Sequence, residues 1–139
     1  MTEISKNSGF ETKAIHAGQK PDPTNGAIMT PIYATSTYAH DKPGEHKGYE
    51  YSRSQNPTRE VLENSIAELE SGYKAFAFAS GVAAQTAVLD LLKPGDHVIA
   101  FDDLYGGTVR LFNEIKSKSS NIEFTFVDLN TNFSKEIKK

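Results

Sequence analysis

From Asn56 onward the apolar positions fall into two alternating rhythms. Val61, Leu62, Ile66 and Leu69 recur at helical spacing and predict one buried helix face. Asn56 suits the N-cap of that helix, Pro57 its first turn and Gly72 its end. Lys74 to Ala79 is a short apolar run with two phenylalanines, the pattern of a buried strand. Ser80-Gly81 turns it into a second helix over Val82 to Leu92, apolar on most faces, and Lys93-Pro94-Gly95-Asp96 is a stop and turn. His97 to Phe101 reads as a strand, Tyr105-Gly106-Gly107 as a turn, Thr108 to Lys118 as a helix and Ile122 to Val127 as a strand; a last polar segment begins after Asn130. Strands alternating with helices through short turns predict an α/β fold with a mostly parallel sheet flanked by helices and right-handed crossovers.

The first 55 residues have little periodicity of either kind. They hold Pro21, Pro23, Pro31 and Pro43 with Gly18, Gly26, Gly44 and Gly48, and only Met29 to Tyr38 reads as extended. The boundaries expected are therefore an arm over 1–55 and an α/β domain over 56–139. The arm is either a disordered tail or an ordered segment that embraces a neighbouring subunit, and Tyr33, Tyr38, Tyr49 and Tyr51 favour order.

Composition narrows the function classes. The 139 residues are 37% hydrophobic and 24% charged with a net charge of −3, so neither a nucleic acid nor an anionic membrane surface is the expected partner. There is no cysteine, which excludes disulfides and thiol chemistry. No apolar run is long enough to span a bilayer, and Met1 to Lys6 has no signal-type hydrophobic segment, so the cytoplasm is the expected location.

Candidate chemistry concentrates in three places. Tyr49-Glu50-Tyr51-Ser52-Arg53-Ser54-Gln55-Asn56-Pro57-Thr58-Arg59 clusters phenols, a guanidinium and hydroxyls ahead of a helix start. An arginine offers a rigid fork of N–H donors for a phosphate or carboxylate; a polar loop leading into a helix cap has the same composition. Ser80-Gly81-Val82 can bring backbone N–H groups and a helix dipole to an anion, or be an ordinary tight turn. Tyr105 can stack on a planar ring or simply pack. Arg110 lies about one helical turn further on, either aimed at the same mouth or solvated. Asp102-Asp103 has no His or Glu to complete a metal set and is expected to supply a cap; His16, His40, His46 and His97 are scattered without metal spacing. No Gly-x-Gly-x-x-Gly or Walker pattern is present.

Taken in order, Tyr51-Ser52-Arg53-Ser54-Gln55-Asn56-Pro57-Thr58, Ser80-Gly81, and Asp103-Leu104-Tyr105-Gly106-Gly107-Thr108 with Arg110 resemble the pyridoxal-phosphate enzymes of cysteine and methionine metabolism, above all the cystathionine γ-lyase and γ-synthase branch. Thr12 to Gly18 and Thr30-Pro31-Ile32-Tyr33 are similar to the start of those enzymes. The resemblance implies the N-terminal part of a fold-type-I transferase domain, pyridoxal 5'-phosphate as cofactor, an amino-acid substrate, and a homotetramer of two dimers with shared active sites. It implies that Tyr51 and Arg53 reach the phosphate of a neighbouring subunit. Ser80, Gly81 and Val82 would hold the phosphate of their own subunit, and Tyr105 would stack on the ring and assist catalysis. Glu50 and Arg110 would contact substrate. Cystathionine β-lyase, methionine γ-lyase and O-acetylhomoserine sulfhydrylase share the pattern. The Schiff-base lysine and the partner of the pyridine nitrogen belong to later sequence in such enzymes, and Lys13 and Lys74 stand in the wrong motifs. The chain is therefore expected to be part of something longer and to have no turnover alone; the reading from another class is an inactive truncated subunit or binding module.

Overall fold

The computed structural model describes residues 7–128 and Asn130; the polar segment after Asn130 and the start of the chain otherwise lie outside the described residues. Two compact units divide the chain, one ending at Ala77 and the other beginning at Phe78.

The first unit contains α1 (Phe10–His16), a small antiparallel hairpin of β1 (His40–Lys42) and β2 (Glu45–His46), and α2 (Pro57–Leu69). Neither α1 nor the hairpin follows from the sequence pattern, because α1 is short and buries none of its own residues and a two-residue strand has no rhythm to read. Helix α2 begins as predicted. The Asn56 side chain accepts from the Thr58 N–H at 2.9 Å and donates to the Tyr33 carbonyl at 3.1 Å, and Pro57 fills the first turn. The end differs from expectation. Ser71, not Gly72, takes the left-handed conformation (φ 54), and the N–H of Gly72 closes a 2.8 Å bond to the Ala67 carbonyl, with Ser71 N–H on Glu68. That pair of bonds is a Schellman motif, satisfying carbonyls the helix leaves open.

The predicted apolar face of α2 is covered only in part, with Val61 and Leu69 half-buried. Leu62 and Ile66 are exposed and Ala67 is buried. The chain after α1 comes close to α2 at Val61 and Ser65: a Cβ on Gly18 would stand 2.5 Å from the Ser65 nitrogen and 2.8 Å from the Val61 carbonyl oxygen, and Gly18 has φ +77. Only glycine meets both demands.

Lys74 to Ala79 forms neither strand nor helix; the Ala77 N–H donates to Glu63 Oε1 at 2.9 Å. Phe76 is 64% exposed and Phe78 is also exposed, so the expectation of a buried strand is corrected. A strand is defined by ladder bonds, and no described segment pairs with this one.

The second unit carries α3 (Gly81–Leu89), β3 (His97–Phe101), α4 (Gly106–Arg110), a π-helical stretch (Leu111–Lys116), α5 (Ser117–Ser119) and β4 (Glu123–Val127). β3 and β4 pair in parallel, His97 opposite Glu123 and Phe101 opposite Val127, as the alternating pattern requires. α3 stops at Leu89, three residues short of expectation, and Leu91 and Leu92 continue in tighter turns, with N–H bonds to Val88 and Leu89. Gly95, at φ +92, lets Asp96 N–H reach the Lys93 carbonyl and itself donates to Asn121 at 2.7 Å. Leu89, Leu111 and Phe112 form the core, with Phe112 stacked 4.6 Å from Phe124. The π-helical spacing turns Leu111 and Lys116 to the covered side together; the Lys116 ammonium is bonded to the Asp90 carboxylate.

Candidate functional site

The residues singled out in the sequence fall into two groups, one in each unit. In the first, Tyr51 bridges Thr37 in antiparallel fashion, Tyr38 N–H donates to the Glu50 carbonyl at 3.2 Å, and Ser52 N–H donates to Ser36 at 2.8 Å. The backbone from Glu50 to Ser52 is therefore fixed by a short ladder. The turn that follows is clasped by Arg59, whose guanidinium donates to the carbonyls of Ser52 at 3.0 Å and Ser54 at 2.8 Å and pairs with Glu63 at 3.5 Å. So the two arginines of this stretch differ in kind. Arg59 is consumed by its own loop. Arg53 is exposed, its guanidinium lies 4.9 Å from the centroid of the Tyr51 ring, and it has no carboxylate partner among the described residues. A guanidinium stacked on a ring keeps its in-plane N–H fork open to an oxyanion. Glu50 faces His46, 3.7 Å away. Next to them the Tyr49 hydroxyl donates to the Glu60 carboxylate. That bond first, with burial and the carboxylate's charge adding to it, pushes the Tyr49 phenol up to about 12.

In the second unit, Ser80 is the N-cap of α3: extended backbone, with its hydroxyl accepting from Ala83 N–H at 3.1 Å and its carbonyl from Ala84 N–H. The two N–H groups between, of Gly81 and Val82, meet no acceptor among the described residues. A Cβ on Gly81 would touch nothing within 4 Å. The helix start is thus an open pair of donors at the positive end of a dipole.

Tyr105 caps the next helix at the carboxyl end of β3. Its carbonyl accepts from Thr108 N–H at 2.8 Å and Val109 N–H at 3.2 Å, and its residue surface is 75% exposed. Gly107 makes room for its ring, since a Cβ there would lie 2.4 Å from Tyr105 Cε1. Arg110 closes α4, exposed and without an ion pair among the described residues. The expected cap from Asp102 or Asp103 is not found among the described residues: α4 has Tyr105 as N-cap with no side-chain cap bond, and Asp102 extends the sheet through its N–H on the Val127 carbonyl. Among the described residues no group of His, Cys, Asp or Glu could hold a metal, and no helix is long and apolar enough to cross a membrane.

One contact had no place in the sequence reading. Thr108, 3% exposed, donates from Oγ1 to Gln85 Oε1 at 2.8 Å, joining α4 to α3. The available signal was Gln85 itself, a polar residue in the apolar helix Gly-Val-Ala-Ala-Gln-Thr-Ala-Val-Leu; its neighbour Thr86 turns back on its own helix at Val82.

A parallel pair of strands with an anion-ready helix start and an exposed ring in a strand-end turn is the ligand edge of an α/β protein. Sequence comparison makes the class specific. The chain belongs to the Cys/Met metabolism PLP-dependent enzyme family, whose model matches residues 11–139. It is 59% identical over 124 residues to a cystathionine beta-lyase of Coxiella burnetii, covering 89% of this chain and 32% of that protein. It is 51% identical over 121 residues to a probable cystathionine gamma-synthase of Herpetosiphon aurantiacus, covering 87% and 38%. The crystal structure of metB from Corynebacterium glutamicum superposes with a TM-score of 0.85 at 44% identity, over 92% of this chain and 34% of that one. That of a cystathionine gamma-lyase from Lactobacillus plantarum, complexed with L-serine, gives 0.79 at 48%, over 87% and 31%. The α/β fold is therefore that of this family's N-terminal part, and the chain spans about a third of the length of these relatives.

Proposed function

We propose that this chain is the cofactor-phosphate and ring-contacting part of a pyridoxal-phosphate enzyme acting on sulfur amino acids or activated homoserine, of cystathionine γ-lyase or γ-synthase type. β-Lyase, methionine γ-lyase and sulfhydrylase chemistry are the alternatives within the family, since relatives bear both lyase and synthase names. The observation that carries the reading is the open helix start at Gly81 and Val82 beside the cap of Ser80. A dianionic phosphate fits there: two free donors, a favourable dipole and no side chain in the way. Tyr105, exposed and given clearance by Gly107, fits the flat face of the ring.

When bound, pyridoxal phosphate supplies an electron sink that makes the α-proton of an amino acid acidic enough to remove. The residues of this chain then do four things. Gly81 and Val82 anchor the phosphate through their N–H groups. Tyr105 holds the ring by stacking, and its hydroxyl moves a proton. Arg53, presented by the Tyr51 ring, closes on the phosphate of a neighbouring subunit in a tetramer of two dimers. Glu50 and Arg110 reach the substrate's charged ends. The 139-residue polypeptide alone is expected to show no turnover of cystathionine.

The test is binding of pyridoxamine 5'-phosphate, which carries ring and phosphate but cannot condense with surface lysines, followed by its fluorescence anisotropy. Binding should be saturable and competed by inorganic phosphate. Gly81→Asp places a carboxylate where the phosphate would lie; the space is empty and an acidic first turn favours the helix, so the fold should hold while binding is lost. Equal affinity in parent and variant would refute the phosphate assignment. In a full-length enzyme carrying this segment, Arg53→Ala should weaken cofactor retention by roughly 1.5–3 kcal/mol, the range of a hydrogen bond to a charged group; unchanged retention would remove Arg53 from the site.

A further inference from the structure

We propose that the Thr108–Gln85 hydrogen bond is a positioning bridge that fixes the spacing between the helix start at Gly81 and the ring of Tyr105. It rests on the cofactor reading above and extends it to two residues that touch no ligand. The bond runs 2.8 Å from Thr108 Oγ1 to Gln85 Oε1, and Thr108 is almost wholly buried. Each end is tied by backbone to a cofactor-facing residue. Thr108 N–H donates to the carbonyl of Tyr105 at 2.8 Å. Gln85 lies four residues after Gly81 in α3, so its N–H belongs to the Gly81 carbonyl by helix geometry. Three hydrogen bonds, linked through the side chains of Thr108 and Gln85, therefore lead from the carbonyl of Tyr105 to the carbonyl of Gly81.

The path matters because the core contacts of Leu89, Leu111 and Phe112, with Val82 and Leu104 against them, are apolar and non-directional, whereas this bond is the directional contact between the two helix starts. Gly81 has open space around it, and Tyr105 has no side-chain cap bond. The ring is limited on one side by Gly107, which regulates clearance but not distance from α3. A stacked ring and a bound phosphate belong to one rigid cofactor, so the two elements gripping it must keep a constant separation; small displacement of positioning groups is costly in binding and catalysis. A half-buried amide and a buried hydroxyl satisfying each other across two helices is a rigid means of doing so, because each would otherwise be left unpaired.

The experiment uses the 139-residue chain and three variants: Thr108→Val, which keeps shape and removes the donor; Thr108→Ser, which keeps the donor; and Gln85→Leu, which removes the acceptor from the other side and keeps the proposal testable if Thr108→Val does not fold. Without ligand, two-dimensional amide and aromatic NMR spectra should show the Gly81 and Val82 amides and the Tyr105 ring signals shifted in Thr108→Val and in Gln85→Leu, and restored in Thr108→Ser. With pyridoxamine 5'-phosphate, affinity should fall roughly three- to tenfold in the first two, the equivalent of one net hydrogen bond, and remain in the third. The double variant should be no worse than either single one. The bridge is refuted if the Gly81 and Val82 amides stay in place, if Thr108→Ser behaves like Thr108→Val, or if only the unfolding midpoint moves while affinity does not. A parent chain that fails to bind the probe counts against the cofactor reading instead, and the ligand-free spectra still decide the bridge.

Discussion

Tyr49 illustrates how far a single side chain can be read. The sequence marks it as one phenol in a polar cluster; the structure gives it a private carboxylate, Glu60, and a phenol pushed up to about 12. In the unfolded chain the same phenol titrates near 10.0. Between those values the unfolded state has released a proton that the folded state retains, so stability falls as pH rises. The contribution is complete below the unfolded value and lost as pH climbs through about 12. Tyr49→Phe should flatten the unfolding midpoint over that interval relative to the parent, and parallel curves for the two proteins would remove Glu60 as the cause. Gly107 gives a second residue-scale prediction. Gly107→Ala puts a Cβ 2.4 Å from the Tyr105 ring, so the ring must swing away. α4 should gain intrinsic helix propensity from the alanine, while the Tyr105 resonances move and pyridoxamine 5'-phosphate binding weakens. A variant with unmoved ring signals would show that the ring does not lie against Gly107. Nothing in the amino-acid pattern could have specified this clearance, because the glycine serves a neighbouring ring rather than its own backbone.

At the scale of elements, legibility follows the range of the interactions that make each one. Caps and turns are local, so Asn56-Pro57, Ser80-Gly81 and Pro94-Gly95 were readable, and β3 and β4 were readable because their apolar runs are bounded by such punctuation. The covered side of α2 was legible only in part: Val61 and Leu69 are half-buried, but Leu62 and Ile66 obey the same rhythm and are exposed, because the rhythm does not show where the chain at Gly18 comes close. The open donors at Gly81 and Val82 were legible from a dipeptide, whereas the different duties of Arg53 and Arg59 required knowing where the carbonyls of Ser52 and Ser54 point. Asn56 concentrates this logic. It accepts from Thr58 N–H and donates to Tyr33 and to Ser52 Oγ, joining the cap of α2 to two loops. Asn56→Ala should cost about 1–2 kcal/mol, at the upper end for an N-cap. Asn56→Asp retains the acceptor and loses both donors, so urea unfolding should place it between alanine and parent. If the aspartate variant equals the parent, the loop bonds contribute nothing to stability.

Across the whole molecule, what remains conspicuous is apolar surface without a neighbour. Lys74 to Ala79 has the apolar composition of a strand, yet no described segment hydrogen-bonds to it along a ladder, and Phe76 and Phe78 are both exposed. The sequence was right about the composition of a buried strand and could not supply the partner that burial needs. The relatives this chain matches are about three times its length, so a family member has material for such a partner that is absent from these 139 residues. An unpaired apolar segment of strand composition with exposed rings is a template for pairing with another chain. The polypeptide should therefore self-associate as its concentration rises. The Lys74 ammonium lies 4.9 Å from the centroid of the Phe76 ring and masks part of it. Phe76→Lys removes an exposed ring and adds a second charge to the same edge, without a core contact to lose. Sedimentation velocity should then show the parent shifting to larger species with concentration and the variant remaining monomeric over the same range. A parent that stays monomeric throughout would mean that the edge is protected already, and a variant that associates equally would place the sticky surface elsewhere.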